Sequence, residues 1–421
     1  MNKTVRAGAR SGSVTIPASK SAAHRQLICA ALSDRPSVIE CDGISKDIQA
    51  TMDCLTALGA RFTKAEEGIR VTPVNLSECR AEGSKEKLLP CGESGSTLRF
   101  LLPIAAALGV SVAFSMEGKL PDRPHGELIE ALTKHGAEIR QEGAELHCSG
   151  QLSGGLYKIP GDVSSQFISG LLFALPLLNE DSTIRITGRT ESASYITMTE
   201  KAVTEAGIRF TKSGQEYTVP GGQTYQVKEH IIVERDWSNA AFFLCAGAFS
   251  EKGILVKGLS SDTAQGDMKI LSVLRSFGAE VTVQKDGILV KNGPLRGFTV
   301  DASGIPDLVP VISVLAAGAK GETRIVHAER LRFKESDRLR STAAMLTALD
   351  GDVTETEDGL IIYGRTRLTG GTVNPVNDHR IAMAAAVAAG ICEADVTIED
   401  AACVAKSYPA FFEDFEQMEV L

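Results

Sequence analysis

The sequence lacks an apolar segment long enough to cross a membrane. Its longest apolar run, at residues 100–114, is interrupted by Gly109 and Ser111, whereas a spanning helix needs roughly 20 apolar residues. The first residues also lack the apolar core of a secretory signal peptide. These two absences predict a protein that has no membrane contact and resides in the cytoplasm.

Paired cysteines and an excess of positive charge are missing as well. The nine cysteines include no Cys-x-x-Cys pair, so neither a disulfide framework nor a zinc site is predicted; most should be small buried apolar residues. The 44 basic and 53 acidic residues give a net charge of −9. Since nucleic-acid-binding domains usually carry a basic footprint, no nucleic-acid partner is expected.

Several common catalytic signatures are absent too. The chain contains no His-Glu-x-x-His, no phosphate-binding Gly-x-x-x-x-Gly-Lys-[Ser/Thr] loop and no Gly-x-Gly-x-x-Gly after a strand. These patterns would have indicated a zinc hydrolase, a nucleotide-phosphate site or a dinucleotide fold. No motif therefore competes with the features described next.

What the sequence does contain is a repeat. A helical segment followed by two short alternating strands occurs five times, and the helices end at Gly59, Gly136, Gly207, Gly278 and Asp350-Gly351. Glycine in this place is the usual C-terminal cap of a helix. The alternation after it predicts a half-buried hairpin.

A second recurring piece lies between these segments. A polar cluster followed by an Ala-rich apolar helix occurs six times, at intervals of about 70 residues. The last helix, near Phe411, has no hairpin after it, and the strands near Val5 and Val14 have no helix before them, so the two ends should share one unit. A solenoid would instead need capping repeats at its ends. We therefore expect two closed domains of three units each.

The starts of the apolar helices carry positive charge. A helix that is apolar on all sides runs through a domain interior, and its N-terminus is an anion site. Cations at this end cost stability unless an anion compensates them. One such residue alone is most simply a solvated side chain, but seven favour a small anionic ligand in a cleft between the domains: Lys20, Arg25, Arg99, Arg123, Arg338, Arg380 and Lys406.

Short motifs at these starts form an ordered set. They read PASKSAAHR at residues 17–25, ESGSTLR at 93–99, DRP at 122–124, VSSQF at 163–167, IPD at 305–307, KESDR at 334–338, NDHR at 377–380 and AKS at 405–407. This set resembles the 5-enolpyruvylshikimate-3-phosphate (EPSP) synthase family, the 3-phosphoshikimate 1-carboxyvinyltransferases, over nearly the whole chain.

The resemblance implies an α/β fold, a two-domain inside-out α/β barrel. It has six βαβαββ-type repeats, three per domain, with central buried helices. One domain would comprise residues 14–233. The other would comprise 1–13 and 234–421 and close through both termini, with hinge crossovers near 14 and 234.

The reaction implied by the resemblance is transfer of the enolpyruvyl group of phosphoenolpyruvate to the 5-hydroxyl of shikimate-3-phosphate. Phosphate is released through a tetrahedral intermediate while the domains close. This is a step of the shikimate pathway of aromatic amino-acid biosynthesis. It would need no metal or other cofactor, and a monomer is expected.

The resemblance also implies residue roles. The implied catalytic residues are Asp307, Glu335 and Lys20. The implied shikimate-3-phosphate ligands are Lys20, Ser21, Arg25, Ser164, Ser165, Gln166, Ser192, Asp307 and Lys334. The implied phosphoenolpyruvate ligands are Lys20, Gly95, Arg123, Gln166, Arg338, Arg380 and Lys406.

Three positions depart from the family pattern. Glu93 stands where Asn is frequent, Phe100 follows Arg99 where Pro is frequent, and Arg330 stands where Asn is frequent. A carboxylate at Glu93 is unexpected near a phosphate site unless it turns away or pairs with Arg99. No ligand role is carried over to Arg330, and sensitivity to glyphosate-like inhibitors cannot be read from Phe100.

Two other functions stay open. The UDP-N-acetylglucosamine enolpyruvyl transferase shares the fold and chemistry, but it typically has Lys-Asn where this chain has Lys20-Ser21, and it has a reactive cysteine in a loop that here, at residues 118–124, has none. A non-catalytic repeat scaffold that binds an anionic partner is the second alternative. It predicts that Asp307 and Glu335 are dispensable.

Overall fold

The computed structural model describes residues 1–81 and 85–421, which form two compact units. Unit 1 comprises Met1–Ser19 and Glu234–Leu421, and unit 2 comprises Lys20–Val233. Residues 14–19 thus belong to unit 1, whereas the sequence interpretation began the other domain at residue 14. The reason is that the strand Arg10–Thr15 pairs in parallel with Ile254–Lys257.

Apart from the short α3, the buried central helices alternate along the chain with amphipathic ones. They are α1 (Lys20–Ala31), α2 (Lys46–Ala57), α3 (Leu76–Ala81), α4 (Gly95–Leu108), α5 (Gly126–Thr133), α6 (Ser165–Ala174), α7 (Ala193–Glu205), α8 (Trp237–Gly247), α9 (Ile270–Phe277), α10 (Val309–Ala317), α11 (Arg338–Ala348), α12 (His379–Ala388) and α13 (Phe411–Glu416). In the described ranges, none of them is both long and apolar enough to cross a bilayer.

The strands are short. They are β1 (Lys3–Val5), β2 (Arg10–Thr15), β3 (Ser37–Glu40), β4 (Arg61–Ala65), β5 (Gly68–Thr72), β6 (Lys87–Gly92), β7 (Val112–Met116), β8 (Ala137–Glu142), β9 (Glu145–Gly150), β10 (Gly155–Pro160), β11 (Ser182–Thr187), β12 (Thr211–Ser213), β13 (Glu216–Val219), β14 (His230–Ile232), β15 (Ile254–Lys257), β16 (Glu280–Val283), β17 (Gly287–Lys291), β18 (Thr299–Asp301), β19 (Glu322–Val326), β20 (Asp352–Glu355), β21 (Leu360–Tyr363), β22 (Gly371–Val373), β23 (Val396–Ile398) and β24 (Glu419–Val420).

Each unit contains three sheets. In unit 2 their strand orders are β14-β3-β5-β4, β6-β7-β9-β8 and β10-β11-β13-β12. In unit 1 they are β16-β17-β15-β2-β24, β18-β19-β21-β20 and β1-β23-β22. Parallel pairs such as β6–β7, β10–β11 and β18–β19 enclose one apolar helix each, because parallel strands need a crossover connection. Consecutive strands such as β8 and β9, β12 and β13, and β20 and β21 form antiparallel hairpins, and the second strand of each hairpin pairs antiparallel with the next strand of its sheet.

The predicted central helices are confirmed. In α12 every residue is buried, and in α4 every residue except Ser96 is buried. The helices α1, α4 and α6 lie in unit 2, and α8, α10 and α12 lie in unit 1. Such helices, buried along most of their length, leave mainly their ends available for polar contacts.

The predicted helix ends also hold. Gly59, Gly136, Gly207 and Gly278 all have φ between +81° and +114°, in the left-handed region where a side chain is disfavoured. In the fifth repeat Asp350 takes this conformation, with φ +65°, rather than Gly351. Aspartate is one of the few residues other than glycine that visits this region routinely.

The two chain ends meet in unit 1, as predicted. β1 pairs antiparallel with β23, and β24 pairs antiparallel with β2. Lys3 Nζ also lies 2.9 Å from Glu416 Oε2 of α13. The last strand therefore takes the place of the hairpin that is missing after α13.

In unit 2, α4 and α6 approach closely at Gly170. A Cβ at Gly170 would lie 2.2 Å from the carbonyl oxygen of Arg99 and 3.0 Å from Pro103 Cγ. Real Cβ atoms do not come so near a backbone atom, so any side chain at Gly170 would push the two helices apart.

We expect Gly170→Ala to lower the free energy of unfolding by about 1–3 kcal/mol, the usual cost of overpacking a core. Thermal denaturation followed by circular dichroism measures the effect. Gly126→Ala is the matched control, because nothing lies within 4 Å of a Cβ placed there. Equal melting temperatures for the two variants would contradict this account of the packing.

Candidate active site

The predicted site residues form two clusters, one in each unit. In unit 2 they gather at the starts of α1, α4 and α6. Hydroxyl caps form two of these starts: Ser94 Oγ accepts from the backbone N–H of Thr97, and Ser164 Oγ accepts from that of Gln166, both at 3.3 Å. Such caps satisfy one free N–H and leave others at the helix start for a ligand.

Lys20 opens α1 and pairs with a residue that the sequence interpretation missed. Its Nζ lies 2.8 Å from Asp47 Oδ2 in the first turn of α2, and both side chains are more than four-fifths buried. An acidic residue in the first turn of a helix is common, so the sequence carried no signal that singled out Asp47.

Arg99, one of the seven cations at helix starts, connects ligands that the family resemblance implies, although the resemblance assigns no ligand role to Arg99 itself. Its guanidinium is almost fully buried. Nη1 donates to Gln166 Oε1 at 2.7 Å, and Nη2 donates to the carbonyl of Pro124 at 3.0 Å. Gln166 in turn donates to Ser96 Oγ at 2.8 Å. Arg99 thus positions Gln166 and the loop that carries Arg123.

Arg123 lies at the start of α4, because Gly95 has no side chain to exclude it. A Cβ at Gly95 would come within 2.7 Å of Arg123 Nη1. The buried Nε of Arg123 has no hydrogen-bond partner among residues 1–81 and 85–421. Arg123 is therefore a half-buried cation beside a helix N-terminus, which is a suitable place for an anion.

Arg25 is held by the protein itself. Its guanidinium donates to the carbonyl of Ser21 at 2.6 Å, to Thr199 Oγ1 at 2.8 Å and to the carbonyl of Tyr195 at 2.8 Å. Burial lowers the pKa of Arg25 to about 10. Because Arg25 donates to two residues of α7, it also holds α7 against α1, in addition to its predicted ligand role.

The predicted serines occupy helix starts. Ser164 and Ser165 are buried at the first turn of α6, and Ser21 is half-buried in the first turn of α1. Ser192 precedes α7 and has φ +50°. A non-glycine residue in this strained conformation is held there by its surroundings, a feature that clusters at ligand sites.

The side chain of Glu93, which departs from the family pattern, lies beside Gly118. A Cβ at Gly118 would lie 2.5 Å from Glu93 Oε2. Gly118 has φ +56°. The carboxylate therefore lies against the backbone that leads to Arg123, and glycine at 118 leaves room for it.

In unit 1, Arg338 is the centre of the cluster. It is 1% exposed at the start of α11. Nε donates to Asp378 Oδ2 at 2.8 Å, Nη1 to Asp307 Oδ1 at 2.9 Å and Nη2 to Glu335 Oε2 at 2.6 Å. Asp378 also caps α12 and accepts from Ser336. One guanidinium therefore ties three carboxylates together.

Asp307 is surrounded by cations. Arg380 Nη2 lies 2.9 Å from Asp307 Oδ2, and Lys334 Nζ lies 3.7 Å from Asp307 Oδ1. Burial alone would raise the pKa of Asp307. The charges of Arg380, Lys334 and Arg338 outweigh burial and hold this pKa well below its usual range. Asp307 is therefore ionised at neutral pH.

Lys334 has a pKa below that of an ordinary lysine. Burial lowers its pKa to about 8, and the charges of Arg338 and Arg330 act in the same direction, whereas Asp307 opposes them. Arg330, the other departure in this cluster, thus contributes positive charge to the cluster. A lysine with a pKa near working pH is suited to proton transfer.

Lys406 and Arg123 lie slightly away from the helix starts to which the sequence interpretation assigned them. Lys406 ends the 3₁₀ segment Ala401–Lys406, before α13, and its Nζ donates to the carbonyl of Asn377 at 2.7 Å. Arg123 follows the 3₁₀ segment Leu120–Asp122 and precedes α5. Both lie in irregular connections, whose geometry helical periodicity does not describe.

No metal-binding group of three or more His, Cys, Asp or Glu side chains occurs in the described part of the chain. All nine cysteines are buried, whereas the sequence interpretation expected this of most of them. The polar groups described above in the two clusters are guanidinium, ammonium, carboxylate, hydroxyl and amide groups, and the imidazole of His125 also accepts from Arg99 Nε at 3.4 Å.

The two clusters share an electrostatic design. Buried cations lie at or near helix N-termini, and protein carboxylates or carbonyls partly neutralise them. An incoming phosphate or carboxylate group offers the same charge and the same bidentate geometry to an arginine. The clusters can therefore exchange internal partners for a ligand that carries several anionic groups.

Solved structures share this architecture. An EPSP synthase from Acinetobacter baumannii superimposes with a TM-score of 0.81 at 25% identity, covering 100% of this chain and 98% of that one. An enolpyruvyl transferase from Streptomyces tendae superimposes with a TM-score of 0.78 at 16% identity, covering 99% and 98%. The fold is that of the enolpyruvyl transferases, which confirms the predicted inside-out α/β class.

Sequence comparison is more specific. A family model described as EPSP synthase (3-phosphoshikimate 1-carboxyvinyltransferase) matches residues 6–415. The 3-phosphoshikimate 1-carboxyvinyltransferase of Clostridium perfringens is 42% identical over 412 residues, covering 97% of this chain and 96% of that protein. The enzyme of the same name from Clostridium kluyveri is 42% identical over 411 residues, covering 97% and 95%. The chain belongs to the EPSP synthase family.

We expect Arg338→Met to lower the free energy of unfolding by about 3–5 kcal/mol, because it leaves buried Asp378 without its counter-charge. Urea denaturation at pH 7 measures the loss. Arg340→Met, at an exposed position two residues along α11, is the control and should change stability by less than about 0.5 kcal/mol. Adding Asp378→Asn to Arg338→Met should recover part of the loss; no recovery would contradict the ion-pair explanation.

Proposed function

We propose that the protein transfers the enolpyruvyl group of phosphoenolpyruvate to the 5-hydroxyl of shikimate-3-phosphate and releases phosphate. The family membership supports the reaction, and the two cation clusters support the assignment of individual residues to the two substrates. Both substrates carry a phosphate and a carboxylate, which match arginine forks and helix N-termini.

The observation that carries the residue assignment is the half-buried guanidinium of Arg123 beside Gly95. A buried guanidinium nitrogen without a partner costs free energy. A phosphate of phosphoenolpyruvate at the start of α4 would accept from Arg123 and from backbone N–H groups. Lys20 and Gln166 of unit 2 are assigned to the same substrate, as are Arg338, Arg380 and Lys406 of unit 1.

Shikimate-3-phosphate is assigned to the starts of α1, α6 and α7. Ser21, Ser164 and Ser165 offer hydroxyl and backbone donors for its phosphate, and Ser192, Gln166 and Arg25 line the same helix ends. Asp307 and Lys334 of unit 1 are assigned to its ring hydroxyls.

The proposed chemistry has two stages. First, a proton is added to the methylene carbon of phosphoenolpyruvate while the 5-hydroxyl oxygen attacks the adjacent carbon and loses its own proton, giving a tetrahedral intermediate. Then phosphate leaves with its bonding electron pair and a proton is removed from the new methyl group, which restores the double bond. Each stage needs one proton donor and one acceptor, so the proton count is unchanged overall.

Asp307, Glu335 and Lys20 are assigned to these transfers. In the ligand-free protein Asp307 is a weak base, because three cations lower its pKa. An anionic ligand that binds Arg380 and Arg338 partly neutralises them, so the pKa of Asp307 rises as the substrate arrives. Substrate binding therefore makes Asp307 a stronger base at the stage when the reaction needs a proton acceptor.

A direct test of the function measures inorganic phosphate released from phosphoenolpyruvate. Release is expected with shikimate-3-phosphate and not with UDP-N-acetylglucosamine; release only with the sugar nucleotide, or with neither acceptor, would overturn the proposal. Arg123→Met should raise KM for phosphoenolpyruvate at least about tenfold, since a hydrogen bond to a charged group contributes about 1.5–3 kcal/mol. Arg140→Met, at an exposed arginine of β8, is the control.

We expect Asp307→Asn to lower kcat at least about 100-fold, the lower range for a lost proton-transfer group. Binding of shikimate-3-phosphate, measured by calorimetry, should remain detectable, because the cations and serines assigned to it are intact. Asp301→Asn, an exposed carboxylate in β18 of the same unit, is the matched control. Near-normal kcat in Asp307→Asn would remove this residue from the catalytic set and would favour a binding scaffold.

A further inference from the structure

The imidazole of His125 joins the segment that carries Arg123 to the buried helix α4. His125 directly follows the DRP motif and is the N-cap of α5. It is 4% exposed. Both of its ring nitrogens have hydrogen-bond partners, so the ring is fixed at two points beside an arginine to which a substrate is assigned.

One ring nitrogen closes the turn that leads to Arg123. His125 Nε2 lies 3.0 Å from the carbonyl oxygen of Leu120, the first residue of the 3₁₀ segment Leu120–Asp122. The same carbonyl accepts from the backbone N–H of Arg123 at 3.2 Å. A carbonyl oxygen has two lone pairs, so both bonds can form together. The turn that ends at Arg123 is thus closed both by its own backbone and by the imidazole ring.

The other ring nitrogen faces α4. Arg99 Nε donates to His125 Nδ1 at 3.4 Å, and Arg99 Nη2 donates to the carbonyl of Pro124 at 3.0 Å. The two residues that follow Arg123 therefore accept from the same guanidinium. Because Arg99 Nη1 also donates to Gln166 in the first turn of α6, the position of the Arg123 segment is tied to that of Gln166.

These bonds define one protonation state of the ring. The guanidinium of Arg99 can only donate, so His125 Nδ1 carries a lone pair and the ring proton is assigned to Nε2, which donates to Leu120. Burial, the largest effect, lowers the pKa of His125 to about 4, and the charges of Arg99 and Arg123 act in the same direction against the bond to Leu120. His125 is therefore neutral near pH 7.

We propose that His125 is a positioning residue for phosphoenolpyruvate: it holds Arg123 beside the start of α4 by linking the Leu120 carbonyl to Arg99. The inference rests on the proposed function, because it takes phosphoenolpyruvate as the ligand of Arg123. Gly95 leaves the space that the Arg123 guanidinium occupies, but glycine has no side chain that could hold Arg123 there. The ring supplies this restraint, so less conformational freedom is lost when the anion binds.

Substitutions of His125 can remove its two bonds together or separately. His125→Leu removes both. In His125→Gln the amide nitrogen can take the place of Nε2 and keep the bond to Leu120. In His125→Asn the amide oxygen can take the place of Nδ1 and keep the bond to Arg99.

The expected effect is on one substrate. His125→Leu should raise KM for phosphoenolpyruvate at least about tenfold and change kcat and KM for shikimate-3-phosphate less than about threefold. Because the Leu120 bond lies within the Arg123 segment, His125→Gln should recover most of the affinity, and KM in His125→Asn should stay at least about threefold above that in His125→Gln. His230→Leu, at an exposed histidine of β14 in the same unit, is the control and should change none of these values.

A role in folding alone would give a different result. It would lower the concentration of active enzyme, and hence the apparent kcat, without a change in KM for either substrate. A wild-type KM for phosphoenolpyruvate in His125→Leu would overturn the proposal, and so would an equal rise in KM for both substrates. If His125→Leu does not fold, the other two variants decide: a KM in His125→Asn equal to or below that in His125→Gln would overturn it.

Failure of this inference is distinguishable from failure of the proposed function. If the wild-type protein releases no phosphate from phosphoenolpyruvate with shikimate-3-phosphate, the function itself is wrong and the inference falls with it. If it does release phosphate while His125→Leu keeps the wild-type KM, only the role of His125 is wrong. Nitrogen NMR of the histidine side chains at pH 7 gives a readout that is independent of activity. The neutral Nε2–H form is expected, and a charged ring or the Nδ1–H form would overturn the geometry on which the proposal rests.

Discussion

The structure depends on the neutralisation of buried cations at or near helix N-termini. Arginines and lysines lie near the N-termini of central helices. A helix N-terminus already carries partial positive charge, so a cation placed there is unfavourable. In unit 1, three carboxylates pair with Arg338 and neutralise its charge. In unit 2, Asp47 does the same for Lys20. These internal pairs let the apo protein fold without the substrates, while their geometry remains that of an anion site.

The central helices make this arrangement possible because they are apolar along their length. Small residues allow close packing, as at Gly170 of α6, and each crossover between parallel strands brings one helix start to the edge of its sheet. A buried arginine such as Arg99 then has no solvent to reach and must find partners in the protein. Arg99 donates to Gln166 and to the carbonyl of Pro124, and these bonds hold both residues in place. The same packing contacts thus stabilise the core and hold the site residues in position.

Much of this could be predicted from the sequence because the repeat is periodic. The six apolar helices, the helix ends with positive φ and the pairing of the chain ends all follow from spacing and composition. Asp350 in place of Gly351 shows the limit, since either residue fits the pattern and only the backbone distinguishes them. Asp47 was missed because a single acidic residue has no signature and its partner, Lys20, is distant in sequence. Unit 1 extends to Ser19, and its strand β2 continues to Thr15 in its pairing with β15.

The net charge of −9 is consistent with this chemistry once the location of the charges is considered. Net charge sums the whole chain, whereas binding depends on the local field. In unit 1, the acidic residues Asp307, Glu335 and Asp378 are themselves part of the cation cluster. Under the proposed function, an anionic ligand displaces some of these contacts and raises the pKa of Asp307, which the neighbouring cations hold low. The same exchange would then accommodate the ligand and prepare a proton acceptor, whereas a cluster without internal carboxylates would lack the base that the proposed reaction requires.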